Sequence, residues 1–132
     1  MRAGHAPVVL RVPFAPTSVS VARQRLRSWL IDQGTGMDLI EDARVVVSEL
    51  VANSVRHAQP LSDGNLLVSW SVEHRGLQIS VSDGGAVTRP RAVQAGSSAL
   101  AGRGMTIVEA LAQKWWSERS DARATVHALL AI

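Results

Sequence analysis

The stretch at residues 41–58 reads Glu-Asp-Ala-Arg-Val-Val-Val-Ser-Glu-Leu-Val-Ala-Asn-Ser-Val-Arg-His-Ala. Apolar side chains recur along it every three to four residues, which is the period of an amphipathic α-helix. The pattern predicts a helix over about 38–58 that ends before Pro60. The residues expected to share its buried face are Ile40, Ala43, Val47, Leu50, Val51, Ser54 and Ala58.

A second face of this helix is polar. Glu49, Asn53 and Arg56 fall together on it, and His57 lies at its margin. A carboxylate and an amide one turn apart suit a general base and a ligand for a hard divalent cation, which prefers oxygen. The same spacing also fits an ordinary solvent-exposed face. Because the bordering side chains are small or apolar, the pattern favours the floor of a pocket.

The rest of the chain mixes strands and helices. Predicted strands cover residues 8–14, 66–72, 77–81 and 124–132, with the middle two forming an antiparallel hairpin. Further helices are expected over about 18–33, with Ser18 as N-cap, and from about residue 104. Since strands and helices do not alternate regularly, we expect an α+β fold with helices packed on an antiparallel or mixed sheet.

Length and composition narrow the class of protein. A chain of 132 residues suits a single domain over 1–132, with residues 1–7 expected to fray. With no cysteine, disulfides, thiol catalysis and Cys-based metal sites are excluded, which fits the cytoplasm. No apolar run approaches the roughly 20 residues of a membrane helix. The net charge is only +3, and the one dense basic group, Arg23, Arg25 and Arg27, lies among apolar helix positions, so nucleic acid is not an expected partner.

The segment Val81-Ser82-Asp83-Gly84-Gly85 places a carboxylate at a strand end, directly before two glycines. Glycine permits positive φ and a close approach of a ligand. An aspartate there can accept a hydrogen bond from an amino group such as the exocyclic amine of adenine. A simple Asp-Gly turn gives the same pattern.

A second glycine segment, Gly102-Arg103-Gly104, leads into the predicted helix from residue 104. The free N–H groups at a helix start, beside glycines, can bind phosphate, although glycine also precedes helices for steric reasons. The sequence contains neither a Walker-type motif nor Gly-x-Gly-x-x-Gly, which argues against a P-loop or Rossmann nucleotide site.

Three segments, in order, resemble the boxes of one family. Residues 48–58 resemble the N-box of the histidine-kinase/gyrase/Hsp90 (GHKL) ATPases, residues 81–85 their first glycine box, and residues 102–108 the second. Trp115 and the pattern over 124–128 are similar to the small bacterial anti-sigma-factor serine kinases. The resemblance covers essentially the whole chain.

The resemblance implies a two-layer α/β sandwich of the Bergerat type, with the helices on one face. It implies that Glu49 is the general base and that Asn53 is a Mg²⁺ ligand together with the ATP phosphates. Asp83 would contact adenine, and Gly85 would let the base approach. The other implied nucleotide contacts are Arg56, His57, Gly102, Arg103, Gly104, Met105 and Thr125. Residues 86–101 would form a mobile lid over ATP.

By the same resemblance, the chain would be an ATP-dependent serine/threonine kinase acting as an anti-sigma factor. It would phosphorylate a serine on an antagonist of the STAS class, sequester a sigma factor and form a homodimer, without contacting membranes. One alternative is a docking module with little or no nucleotide affinity, because Val87 replaces a usual glycine and Ala124 a usual lysine. A sensor histidine kinase fragment is a weaker alternative, since no helix with a phosphoacceptor histidine precedes the N-box.

Overall fold

The computed structural model describes residues 6–74, 76–85 and 105–132. The helices in these ranges are α1 (Ser18–Asp32), α2 (Met37–His57) and α3 (Thr106–Leu111). The strands are β1 (Val8–Pro13), β2 (Asn65–Glu73), β3 (Gly76–Asp83), β4 (Lys114–Ser120) and β5 (Arg123–Ala131). The expected lid at 86–101 and the glycine segment at 102–104 lie outside the described residues, as do residues 1–5 of the expected frayed end.

The five strands form one antiparallel sheet in the order β1-β2-β3-β5-β4. The last strand of the chain, β5, therefore lies between β3 and β4. Buried Leu66, Val68 and Trp70 alternate along β2 with half-buried residues, as expected of a sheet covered by helices on one side. The α+β class with helices packed against a sheet is confirmed.

The core lies between the helices and the covered face of the sheet. Leu26 and Leu30 of α1, Val47 of α2, Ile79 of β3 and Leu130 of β5 are all at most 1% exposed. Burying an aliphatic side chain of this size stabilises a fold by about 1.5–3 kcal/mol. These contacts from both layers hold α2 firmly against the strands, and α2 carries the polar residues of the candidate site.

Helix α2 confirms the amphipathic pattern. Its buried residues are Ile40, Ala43, Val46, Val47, Leu50, Val51 and Ser54. Two details differ from the expected face: Val46 is buried, and Ala58 follows the helix as its C-cap. At the start of α1, the N-cap is Thr17. Ser18 is already helical, and its hydroxyl donates to the carbonyl of Pro13 at 2.6 Å.

Strand β4 is absent from the sequence prediction. It is an edge strand that pairs with β5 alone, and most of its residues are exposed. Side chains fasten it to its neighbours: the Trp115 Nε1–H donates to Glu109 of α3 at 3.1 Å. The Trp116 ring stacks on His127 with 5.0 Å between ring centroids, and His127 also contacts Glu118 at 2.6 Å. In the part of the chain that is described, no helix combines the length and hydropathy needed to cross a membrane.

Candidate functional site

Asp83, the last residue of β3, lies where the strand meets α2. Its Oδ2 accepts a hydrogen bond from the Ser54 hydroxyl at 2.6 Å, and its Oδ1 accepts one from the backbone N–H of Gly85 at 2.8 Å. Asp83 is 7% exposed and Ser54 is 6% exposed. The helix and the turn after β3 together therefore hold a carboxylate at both of its oxygens.

Burial raises the pKa of the Asp83 carboxyl above its ordinary value of 3.8. The hydrogen bonds from Ser54 and Gly85 and the charge of Arg119 act in the opposite direction. A carboxylate kept in surroundings that disfavour its charge is a feature of functional sites more often than of ordinary surfaces.

The turn after Asp83 is fastened to the segment that follows α2. The Gly84 N–H donates to the carbonyl of Gln59 at 2.8 Å, and the Gln59 N–H donates to the carbonyl of Gly85 at 3.0 Å. A Cβ on Gly84 would lie 2.2 Å from the carbonyl oxygen of Pro60, so only glycine fits there. Gly85 has φ +95°, and a Cβ there would meet no atom of the other described residues within 4 Å. Within the described residues, nothing therefore covers Gly85 beside the carboxylate.

The polar face of α2 brings three of the expected residues together. The Asn53 Nδ2–H donates to the sulfur of Met105 at 3.4 Å, and the Arg56 guanidinium donates to the Asn53 Oδ1 at 3.2 Å. Met105, which immediately precedes α3, is 4% exposed. Asn53 is half-buried between these two partners.

Glu49 and His57 flank this group on the same helix. Glu49 is half-buried one turn before Asn53, and it lines a surface concavity together with Arg23 and Ser48. His57 is the last residue of α2 and is also half-buried. No set of three or more His, Asp or Glu side chains within the described ranges is arranged to hold a metal ion by itself.

Thr125 is not brought together with Asp83. Its hydroxyl lies 2.8 Å from the hydroxyl of Ser82, its partner across the β3–β5 pair. Because successive side chains of a strand point to opposite faces, Ser82 and Thr125 lie on the face opposite Asp83. The β5 residue paired with Asp83 is Ala124, which has no polar side chain. The hydroxyl of Thr125 therefore stands one position too late in β5 to reach Asp83, because neighbouring strand residues point to opposite faces.

Ser54 is a site residue that the sequence did not predict, because helical periodicity places it only on the buried face of α2. The sequence does contain an indication of this role. A hydroxyl on an otherwise apolar helix face must find a hydrogen-bond partner when it is buried. The expected contacts Gly102, Arg103 and Gly104 lie outside the described residues.

A buried carboxylate at a strand end, facing an asparagine-bearing helix across a two-layer sandwich, is the arrangement that the sequence resemblance led us to expect. The family model described as "Histidine kinase-like ATPase domain" matches residues 12–129. The chain belongs to this family.

Curated relatives narrow the comparison. The chain is similar to the serine-protein kinase RsbW of Listeria innocua, with 34% identity over 82 residues that cover 61% of this chain and 52% of the relative. It is similar also to the serine-protein kinase RsbW of Staphylococcus aureus, with 32% identity over 80 residues, 59% of this chain and 50% of the relative. The matched region spans about half the length of these relatives. They confirm the resemblance to the anti-sigma kinase branch.

A solved structure shares the fold. The crystal structure of the RsbU and RsbW domains of a Mycobacterium tuberculosis protein superimposes with a TM-score of 0.74 at 21% identity. The superposition covers 98% of this chain and 33% of that one. The order and packing of helices and strands therefore extend to a protein of quite different sequence.

Proposed function

We propose that the chain is an ATP-dependent serine/threonine protein kinase that acts as an anti-sigma factor. Its substrate would be a serine on a STAS-type antagonist, and it would sequester a sigma factor in the cytoplasm, working as a homodimer. The observation that carries the proposal is the buried Asp83, held at both oxygens beside the helix that bears Glu49 and Asn53. The RsbW relatives, named serine-protein kinases, support phosphate transfer as the activity.

Asp83 would recognise adenine. A carboxylate has about four lone-pair sites, and the hydrogen bonds from Ser54 and Gly85 use two of them. The remaining sites can accept a hydrogen bond from an exocyclic amine. Gly85, which no described side chain covers, would let the flat base approach.

The polar face of α2 would serve the phosphates. Asn53 would hold Mg²⁺ through Oδ1, an oxygen donor of the kind this cation prefers, and bound Mg²⁺ neutralises phosphate charge. Because no cluster of carboxylates in the described ranges could hold the ion, its other ligands would be phosphate oxygens and water. Arg56, which donates to Oδ1 in this structure, would turn its guanidinium to a phosphate oxygen.

Glu49 would accept the proton of the attacking serine hydroxyl, as a general base. Its place one turn before Asn53 would put the base next to the phosphates. The remaining proposed nucleotide contacts are His57, Gly102, Arg103, Gly104 and Met105. Thr125 is left out, because its hydroxyl lies on the opposite face of the sheet from Asp83.

The test combines ATP binding by calorimetry, with and without Mg²⁺, and phosphate transfer to a STAS-domain antagonist. Asp83→Asn should weaken ATP binding about tenfold or more, because a donor replaces an acceptor, and should lose transfer as well. Glu49→Ala should retain ATP binding while transfer falls about 10²–10⁴-fold.

Two carboxylates away from the site provide matched controls: Asp63→Asn and Glu73→Ala, the latter at the exposed end of β2, should behave as the parent does. Equal ATP binding by the parent and Asp83→Asn would contradict the adenine assignment. Undiminished transfer by Glu49→Ala would remove the role given to Glu49.

Ala124 favours a second candidate function, a docking module that regulates by binding its partner alone. This residue pairs with Asp83 and offers no polar group toward a nucleotide. The docking module would bind its partner equally well with and without ATP and Mg²⁺. If the parent fails to bind ATP even at millimolar concentration, this candidate replaces the kinase.

A further inference from the structure

Ser54 stands out among the buried residues of α2, because the other six are apolar. It directly follows Asn53 in the chain, yet it faces the sheet and not the polar side of the helix. Its hydroxyl is directed at Asp83 Oδ2 with 2.6 Å between the two oxygens, a short hydrogen bond of the kind made to a charged acceptor. The residue therefore links the helix that carries Glu49 and Asn53 to the carboxylate of the strand.

The bond from Ser54 restricts how Asp83 can turn. The backbone N–H of Gly85 holds Oδ1 at 2.8 Å, so one oxygen is tied to the turn and the other to α2. A carboxyl group held at both oxygens cannot rotate about its last torsion without breaking a buried hydrogen bond. The free lone pairs of the Asp83 oxygens are therefore held in a fixed orientation.

No other side chain in residues 6–74, 76–85 and 105–132 is placed to do the same. Ala124, which pairs with Asp83 on β5, has no polar atom in its side chain. Ser82 and Thr125 carry hydroxyls close by in sequence, but these bond to each other on the other face of the sheet. The charged group that acts on Asp83 from β4 is Arg119, through its charge alone.

We propose that Ser54 is a positioning residue of the nucleotide site. Its hydroxyl holds the Asp83 carboxylate so that the carboxylate accepts a hydrogen bond from an exocyclic amine and discriminates against purines with a carbonyl at that position. The inference rests on the proposed function, because it concerns the base that Asp83 recognises. Ser54 lies within the N-box-like segment 48–58, but the resemblance gave it no role.

Removing the hydroxyl has two consequences for recognition. Without the bond from Ser54, the pKa of Asp83 rises further, because burial remains and one of the groups that opposes it is gone. A protonated carboxyl can donate to a carbonyl oxygen, which an ionised carboxylate cannot do. Loss of Ser54 should therefore lower affinity for ATP and narrow the preference for ATP over GTP.

The experiment is a calorimetric titration of ATP and of GTP, each with Mg²⁺, over a series of pH values from near the ordinary carboxyl value of 3.8 up to about 8. The proteins are the parent, Ser54→Ala, Ser54→Thr and Ser82→Ala. We expect Ser54→Ala to bind ATP about tenfold more weakly and to lose binding at a higher pH on acidification than the parent. Ser54→Thr keeps the hydroxyl and should restore the parent's pH profile.

Ser82→Ala is the matched control, because it deletes a buried serine hydroxyl one residue from Asp83 on the opposite face. It should leave ATP affinity, the pH profile and the ATP-to-GTP ratio unchanged. Thermal unfolding of each variant verifies that the titrated protein is folded.

Parent-like ATP affinity and pH profile in Ser54→Ala would overturn the inference. Weaker binding with an unshifted pH profile would overturn it too, because that pattern indicates a packing role alone. In both cases the proposed function survives if the parent binds ATP and Asp83→Asn does not. A parent that binds no ATP would overturn both the inference and the proposed function.

Discussion

At the scale of the residue, Asp83 is held in a place that disfavours its charge. Burial raises its pKa, and the hydrogen bonds from Ser54 and Gly85 only partly oppose that effect. The charged form of this carboxyl is therefore less favourable in the folded protein than in the unfolded chain, where water solvates it. A residue that lowers stability in this way is better explained by binding a ligand than by holding the fold together.

The raised pKa of Asp83 predicts a particular pH dependence of stability. Below the ordinary value of 3.8 the carboxyl is protonated in both the folded and the unfolded chain, and its favourable contribution is fully present. As pH rises through the raised pKa of the folded state, that contribution is lost. Urea unfolding of the parent and Asp83→Asn over this pH range measures the effect. The free energy of unfolding of the parent should fall relative to that of Asp83→Asn as pH rises.

Asp63 is the control of opposite sign. The backbone N–H of Asn65 and the charge of Arg11 lower the pKa of its exposed carboxyl. Its contribution to stability is therefore present above 3.8 and is lost as pH falls through the lowered pKa. A parent-to-variant difference that is independent of pH for Asp83→Asn would contradict the burial argument.

At the scale of the element, strong periodicity made α2 and the β2–β3 hairpin predictable. Both bury one clear apolar face, and the structure places them within a residue or two of the expected bounds. Strand β4 was not predictable in this way, because an edge strand with Lys114, Glu118 and Arg119 has no alternation of buried and exposed residues to show.

The residues of the candidate site also differ in how far the sequence predicts their positions. Asn53 and Arg56 could be placed together from helical spacing alone, and the structure joins them by a hydrogen bond. The positions of Ser54 and Thr125 depend on which face of an element meets Asp83. That information lies in the β3–β5 register and in the packing of α2, which no local pattern contains.

The turn after β3 is tightly packed at Gly84, against the backbone of Pro60. Gly84→Ala should lower the free energy of unfolding by about 1–3 kcal/mol, because the added Cβ would overlap the backbone of Pro60. Urea denaturation measures the change. Gly36→Ser is a matched control, since a Cβ at that N-cap meets no atom of the described residues within 4 Å and serine is a preferred cap. An unchanged stability for Gly84→Ala would show that the loop after α2 moves aside freely.

At the scale of the whole molecule, the strand order makes the sheet depend on the last part of the chain. Strand β5 pairs with β3 on one side and β4 on the other. It also brings Ala128 and Leu130 into the core. Until β5 is in place, β4 has no strand partner and one edge of β3 is open.

We therefore expect that deleting residues 123–132 abolishes cooperative folding. The deletion removes β5 entirely, so the loss includes two strand pairings together with buried core side chains. Thermal unfolding followed by circular dichroism should show no sharp transition. Deleting Ile132 alone is the control, because this residue follows β5 and is 58% exposed. A sharp transition in the longer deletion would mean that the first three strands and α1–α2 fold by themselves.

The contact between Gly84 and Pro60 also bears on descent within the family. A descendant of this chain that gave up its ligand would be released from any selection on Asp83, yet the backbone of the neighbouring loop would still reject a side chain at position 84. Substitutions would then accumulate at position 83, whereas glycine would remain at position 84. Across diverging lineages we therefore expect the glycine that follows the strand to indicate a shared fold, and the aspartate before it to indicate a retained ligand.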